Sequence, residues 1–378
     1  MTPTKKIAIL ADFPIHLLPE SPLKDPKGHF ATWLPQLAKA FESVEEFEFH
    51  WVISDPNIKA ETQKVAWKQI FHVLPCWRRG RAATLFWSDR WRIQQKLKRI
   101  NPDLVHGWGN ENIWGWATVA SGRPNVFSVQ GLLGVYGKLG RQHFRERLMA
   151  RIEKYVLQKA KIITAESPWA RDHIKEQTGR KDIRLVEYGV ADPFFGVKYR
   201  PNVENPFAIM VGTADYRKGI DFAVELFSRP GLADLRLKVV GGVAPFGEFY
   251  KNNSPPNIAW LGRKTPSEII GLMAGASCLI LPTRADTGPT VAKEARVIGV
   301  PVVASPHGGH VQYIVQGKNG WVFGLNEPGK WEQIIQKLFL PNTDINQLGK
   351  YHQIEDRALL SPQRTAARFL KIYHETLN

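Results

Sequence analysis

The sequence predicts an α/β protein of two doubly wound parallel-sheet domains, and three observations carry that prediction. Short runs rich in Val, Ile, Leu and Phe alternate with helix-period segments along the 378 residues. The alternation stops in a Pro/Asn-rich stretch between residues 189 and 206, then starts again. Tight Gly/Pro corners follow strand candidates, at the ends where sheets of this kind bind ligands. The length suffices for two sizeable cores.

In the first half, the apolar run Ile7-Ala-Ile-Leu-Ala11 opens a strand over 7–12, and a helix follows around 30–41. Strands are expected near 47–53 and 70–74. A basic helix then runs from 82 to 100, where Leu85, Phe86, Ile93, Leu97 and Ile100 recur at helical spacing. Strand 104–108, a short helix, strand 126–129 and a second basic helix over 141–161 come next. Strand 162–165, helix 168–177 and strand 183–187 complete this half. The second half restarts with strand 207–211, a helix from Lys218, strands 235–240 and 258–261, and helix 266–273. It closes with strand 278–281, a helix from Thr290, strand 302–304 and several helices. The unpatterned linker places the domains at 1–195 and 196–361.

No apolar run approaches the length of a membrane span, and the N-terminus enters a strand without the apolar core of a signal peptide. Cys76 and Cys278 are the only cysteines, far apart and without metal-ligand spacing, so a cytoplasmic protein is expected. The formal charge is +16 and there are 13 Trp residues. Basic and Trp residues are densest over 77–100, in Trp77-Arg-Arg-Gly-Arg81, Trp87, Arg90-Trp91-Arg92 and Lys96-Leu-Lys-Arg99. A helix of this composition suits an anionic membrane surface, with Trp at the headgroups and cations on the phosphates. Segment 141–161 offers a second such surface. A crossover helix with a solvated basic face has the same composition, and both readings stand. No nucleic-acid-binding module is recognisable, so no nucleic-acid partner is expected.

The chemistry concentrates in Asp286-Thr-Gly-Pro-Thr-Val-Ala-Lys-Glu294, closed by Gly299-Val-Pro-Val-Val-Ala-Ser305. A buried-strand run from Cys278 to Leu281 leads to the Gly288-Pro289 corner, and Thr290 opens a helix. Unpaired N–H groups and the positive end of the dipole make such an N-terminus a phosphate site. Asp286 before the helix and Glu294 about one turn inside it put acceptor oxygens on either side of a diphosphate. Carboxylates are good acceptors for sugar hydroxyls. Arg217 and Lys218, at the expected start of another helix, oppose that helix's dipole unless an anion lies nearby. The combination suits a nucleotide-sugar.

These residues resemble the donor site of the family-4 retaining glycosyltransferases of GT-B fold (glycosyl transferases group 1). Val211-Gly-Thr-Ala-Asp-Tyr-Arg-Lys-Gly219, Ile258-Ala-Trp-Leu-Gly262, Ala276-Ser-Cys-Leu-Ile-Leu-Pro282, Gly308-Gly309 and Gly317-Lys-Asn-Gly-Trp321 fall in the family's order. The resemblance covers nearly the whole chain. It implies two Rossmann-like domains facing each other across a cleft, the first for the acceptor and the second for the donor. It also implies that the last helix, 362–378, packs back on the N-terminal domain. Lys218 would contact the diphosphate, and Arg217 would supply the guanidinium that the family carries at the position of Thr213. Asp286 would hold hydroxyls of the transferred sugar and Glu294 those of the ribose. Gly288, Pro289, Thr290 and Val291 would line sugar and phosphate, and Arg263 would border the base. On the acceptor side stand Gly28 and His29 in the loop after the first strand, and His106 in Asp103-Leu-Val-His106. Gln130 stands where many members carry a His.

The implied reaction is hexosyl transfer with retention from a nucleotide-diphosphate sugar to a saccharide or lipid-linked acceptor, without a cofactor, in polysaccharide or glycolipid assembly. The chain has no Asp-x-Asp pair to hold a diphosphate through a divalent ion. The resemblance therefore implies metal-independent chemistry with Lys218, Arg217 and the helix N-termini in that role. Thr213 and Gln130 depart from the family's pattern. The alternative is a catalytically impaired GT-B protein that binds a nucleotide-sugar or glycan.

Overall fold

The computed structural model describes residues 4–18, 33–77, 79–81, 84–110, 112–140, 144–340 and 343–378. The chain forms two compact units, one of Met1–Gly189 with Pro362–Asn378 and one of Val190–Ser361.

The first unit is built on β1 (Lys5–Leu10), β2 (Phe47–Asp55), β3 (Thr62–Ala66), β4 (Gln69–Pro75), β5 (Leu104–Trp108), β6 (Asn125–Val129), β7 (Ile162–Ala165) and β8 (Ile183–Leu185). Their order is β3-β4-β2-β1-β5-β6-β7-β8, parallel throughout except for β3 against β4. The strand order reverses between β1 and β5. Strand β3 escapes the sequence reading because its turn lacks a glycine. Trp67 and Lys68 adopt φ 47° and 56° themselves, the left-handed pair a two-residue hairpin demands.

Alternating side chains of β1 bury Ile7 and Ile9 on one face of the sheet and Ala8 and Leu10 on the other. Helices Trp33–Ala40 and Pro362–Leu377 cover the first face, with Leu37, Phe369 and Tyr373 in its core. Helices Trp87–Ile100, Trp114–Val119 and Phe144–Lys159 cover the second, with Ile93, Leu97, Trp114 and Met149. The basic helix expected from 82 begins only at Trp87. Leu85 and Phe86 sit at φ 49° and 53°, a conformation no α-helix contains, and Leu85 points outward instead of joining the buried stripe.

The second unit carries β9 (Phe207–Val211), β10 (Arg236–Val240), β11 (Ile258–Gly262), β12 (Cys278–Leu281), β13 (Val302–Ala304) and β14 (Gly320–Val322). All are parallel, in the order β11-β10-β9-β12-β13-β14, and the order reverses between β9 and β12. Helix Pro245–Asn252 and the three-residue β14 also went unread; the helix has only eight residues, although Phe246, Phe249 and Tyr250 recur in it at helical spacing. The domain boundary falls at 189/190 instead of 195/196. Val190 and Phe194 are buried with Phe207, Ile209 and Leu279 of the second sheet, and the Val190 N–H donates to the Leu360 carbonyl at 2.9 Å.

Among the described residues, no helix is long and apolar enough to cross a membrane. Cys76 and Cys278 are free and buried.

Candidate active site

The carboxyl ends of β9 and β12 flank the switch point of the second sheet, where such folds bind ligands. Two loops meet there, 212–219 and 282–289. Gly219 has φ 75°, and a Cβ on it would lie 2.0 Å from the Pro282 carbonyl oxygen, so only glycine lets the loops approach this closely. The Thr283 hydroxyl and the Arg284 N–H donate to the Arg217 carbonyl at 3.0 and 2.7 Å. The Arg284 guanidinium grips Asp221 through two bonds of 2.8 and 2.6 Å and lies 3.9 Å over the Tyr216 ring. The loops are therefore held together by hydrogen bonds and charge.

Arg217, Lys218 and Asp286 converge at this junction. Lys218 Nζ pairs with Asp286 Oδ2, and Arg217 Nη1 lies 3.2 Å from the same oxygen and 3.1 Å from the Ala285 carbonyl. Burial by itself would raise the Asp286 pKa, but Lys218 and Arg217 outweigh it and hold the carboxyl at about 2. The helix expected from Lys218 starts at Ile220, so both cations lie in the turn ahead of it. Their unfavourable place near its dipole is compensated by Asp286. Gly308 and Gly309 close another side, where the Gly309 N–H donates to the Asp286 carbonyl at 3.0 Å. Beside them His310, which sequence reasoning missed, is buried and hydrogen-bonds through Nε2 to the Ser305 carbonyl at 2.8 Å. Burial lowers its pKa.

The remaining residues expected on the donor side lie in the same unit, after strand ends or on helix Thr290–Ile298. Glu294 is half-buried on helix Thr290–Ile298, and no hydrogen bond reaches its carboxylate from the described residues. Burial pushes its pKa up to about 7 against the opposing charge of Lys293. That helix starts at the N-cap Pro289, whose side chain caps none of the first-turn N–H groups beside Thr290 and Val291. The Gly288 N–H, expected to face sugar or phosphate, instead donates to Asp286 Oδ1 at 3.3 Å. Thr213 is half-buried in the loop after β9. Arg263 follows β11, where a Cβ on Gly242 would lie 3.3 Å from its Nε. Cations, helix N–H groups and carboxylates gathered at this junction can hold an anionic diphosphate together with hydroxyls.

The family of glycosyl transferases group 1 matches residues 194–354, and glycosyltransferase family 4 matches residues 31–192. The chain belongs to glycosyltransferase family 4. Its fold is that of sucrose-phosphate synthase from Thermosynechococcus elongatus, with TM-score 0.79 and 18% identity over 98% of both chains. HepE of Anabaena, solved with UDP and glucose, aligns with TM-score 0.71 and 14% identity over 98% of this chain and 100% of its own. WaaG, a glycosyltransferase involved in lipopolysaccharide biosynthesis, aligns with TM-score 0.67 and 15% identity, covering 96% of this chain and 99% of its own. Among curated relatives, an uncharacterized glycosyltransferase of Methanocaldococcus jannaschii is 28% identical over 35% of this chain and 38% of its own length. A D-inositol 3-phosphate glycosyltransferase of Corynebacterium jeikeium is 29% identical over 31% of this chain and 28% of its own. The chain thus spans well under half the length of these two curated relatives.

The residues expected on the acceptor side fare differently. Gly28 and His29 lie outside the described residues. His106 is a core residue and not a substrate contact. It is fully buried, with Nδ1 2.7 Å from the Tyr373 hydroxyl and Nε2 2.7 Å from the Ser128 hydroxyl. Burial drives its pKa down to about 3, so it stays neutral and joins helix Pro362–Leu377 to the sheet. Gln130 is half-buried directly after β6, at the carboxyl edge of the first sheet. The turn beyond it is organised by Glu153, which the sequence placed on a basic helix. Its carboxylate is buried and accepts from Leu133 N–H at 2.7 Å, Gly134 N–H at 3.1 Å and Asn110 Nδ2 at 2.8 Å. No local pattern announces that role, because its partners lie 19 to 43 residues away.

Proposed function

We propose that this glycosyltransferase moves a hexose from a nucleotide-diphosphate sugar to a saccharide or lipid-linked acceptor, with retention and without a metal ion or cofactor. It would act as a peripheral protein on the cytoplasmic face of a membrane, in polysaccharide or glycolipid assembly. The observation that carries this reading is the convergence of Arg217 and Lys218 on Asp286, beside the N-terminus of the helix bearing Glu294. A diphosphate entering this corner takes over the two cations, and the Asp286 carboxylate is released to accept from sugar hydroxyls. Glu294 accepts from the ribose. In the reaction the acceptor oxygen bonds to the anomeric carbon from the face the diphosphate leaves, and the bond to the phosphate oxygen breaks. The acceptor proton passes to that departing oxygen. Lys218, Arg217 and the helix N–H groups stabilise the charge that develops on it, already in place before the bond breaks. The UDP and UDP-glucose bound by HepE support a nucleotide-sugar donor.

A thermal-shift panel of UDP, GDP and ADP with their sugar conjugates, without added metal, tests the site, since a ligand of the native state raises Tm by mass action. A selective shift, followed by release of the free nucleoside diphosphate on incubation, is expected. Binding without release would assign the chain to the non-catalytic class that Thr213 and Gln130 also fit. No shift with any nucleotide would overturn the reading.

The elevated Glu294 pKa adds a pH signature. The ribose hydroxyls donate to the carboxylate, so binding favours its ionised form. UDP-glucose, whose diphosphate does not titrate near neutrality, should bind about tenfold more tightly at pH 8 than at pH 6. Calorimetry on Glu294→Gln should give a flat profile, and a flat wild-type profile would remove Glu294 from the ribose site.

A further inference from the structure

One face of the first sheet carries two helices, Trp87–Ile100 and Phe144–Lys159, with unusual outer sides. Trp87 and Trp91 are 66% and 55% exposed and stand one helical turn apart, on the same side. Leu85 and Trp77 are also exposed. Isolated apolar side chains on a surface are ordinary, whereas a concentration of large ones within one loop and helix start marks an interaction site.

The turn before the helix keeps them outward. Leu85 and Phe86 are both left-handed, a conformation that non-glycine residues adopt only where the surroundings impose it, commonly at functional places. Phe86 imposes it here. Its ring is buried, the Arg81 guanidinium lies 5.5 Å over it, and its N–H donates to the Arg81 carbonyl at 2.7 Å. Leu85 and Trp87 on either side are thereby turned to solvent.

The charges sort in a way that composition could not foretell. Several cations of the first basic segment are spent inside the fold. Arg81 pairs with Asp89 at 2.6 Å, Arg90 stacks 3.7 Å over Trp116, Arg92 donates to the Pro75 carbonyl at 2.9 Å, and Lys96 pairs with Glu61. Arg79, Lys98 and Arg99 of that segment stay exposed, and helix Phe144–Lys159 on the same face of the sheet adds Arg147, Arg151 and Lys154 as a stripe at helical spacing. An aromatic ridge and a basic stripe therefore share one face of the unit.

We propose that this face docks on an anionic lipid bilayer, with Trp87, Trp91 and Leu85 entering the headgroup region and Arg147 and Arg151 meeting lipid phosphates. Trp suits that region because it has an apolar body and a polar N–H. A purely electrostatic partner such as RNA would use the stripe and leave Leu85 in water. The acceptor is then lipid-linked and met at the bilayer surface, a step that rests on the transferase reading above; the docking itself does not.

Cosedimentation of the full chain with vesicles tests it. Binding is expected to phosphatidylcholine vesicles containing phosphatidylglycerol but not to phosphatidylcholine alone, and to weaken as salt rises. Brominated acyl chains should quench Trp emission. Trp87→Ser with Trp91→Ser should weaken binding more than about tenfold and reduce the quenching. Arg147→Gln with Arg151→Gln should weaken it about thirtyfold. Unchanged Tm in both variants keeps the comparison free of misfolding. The proposal is overturned if wild type ignores phosphatidylglycerol vesicles, or if the Trp variant binds them like wild type, which would mean a general polyanion surface. A UDP-glucose thermal shift on the same samples separates the two readings: vesicle binding without that shift supports docking and counts only against the donor site.

Discussion

Lys218→Ala is expected to lower the rate of sugar transfer by about 10²–10³-fold while the protein stays folded, the usual cost of removing one preorganised electrostatic contact to a developing oxyanion. Lys218 lies at the junction of loops 212–219 and 282–289, where its Nζ pairs with Asp286. Arg217 reaches the same carboxylate oxygen from the preceding residue, so the variant retains one cation and part of the donor affinity. The loss should therefore fall mainly on kcat, with a smaller rise in KM for the donor. Stopped-time assays of nucleoside diphosphate release, with calorimetry of UDP binding alongside, would separate the two. Wild-type kcat in a folded Lys218→Ala protein would remove Lys218 from the transition state and leave Arg217 as the remaining candidate.

The second large effect concerns stability. Arg296 lies in the last turn of the helix that bears Glu294, is fully buried, and donates from Nε to Asp356 Oδ2 at 2.9 Å. It also donates to the carbonyls of Tyr351 at 2.5 Å and Gly349 at 3.4 Å. Burial pushes the Asp356 carboxyl up and the Arg296 guanidinium down, against their mutual attraction, so desolvation consumes much of what pairing gains. Breaking such a pair from one side leaves a charge without its counter-ion in the interior. Asp356→Ala is expected to cost about 3–5 kcal/mol. In a unit of this size that corresponds to a Tm lower by roughly 6–20 °C. Replacing both partners together, Arg296→Met with Asp356→Leu, should recover most of the loss, because no charge remains to be solvated. Thermal unfolding of the two proteins decides it. If the single variant melts like wild type, water or another partner already solvates Arg296, and the pair is not what fixes the donor helix.

The two substitutions act on the donor helix from opposite ends. Lys218 pairs with Asp286 in the loop ahead of its N-terminus, and Arg296 anchors its C-terminal turn to helix Gln353–Leu359. Tight contact between Gly299 and Gly349 continues that anchor, since a Cβ on Gly349 would lie 1.7 Å from the Gly299 carbonyl oxygen. On the proposed reading, a helix that presents Glu294 and first-turn N–H groups to one ligand gains from being held at both ends.

Much of the architecture was legible because its signals are local. Strands 104–108, 207–211 and 278–281 are short apolar runs between breakers, and the structure reproduces those bounds in β5, β9 and β12. The junction of loops 212–219 and 282–289 was legible for the same reason. Gly219, the Gly288-Pro289 corner and the spacing from Asp286 to Glu294 are backbone and helix constraints contained within a few residues. Elements without such a signal went unread: β3 is an edge strand with a glycine-free turn, and Leu85 looked helical although its backbone is left-handed.

By itself the sequence determined two doubly wound sheets, the place of the Gly/Pro loops at strand ends, and the residue types expected to meet a nucleotide-sugar. Only the tertiary structure decided which polar side chains are available to a ligand. His106 is occupied by Tyr373, 267 residues away, and Arg296 by Asp356, 60 residues away. Glu294 has no hydrogen-bond partner among the described residues, and Trp87 and Trp91 face water. The physical reason is that periodicity records how each segment folds against its own backbone. The ionisation and availability of a polar group depend on burial and on partners that reach it only once distant segments pack together.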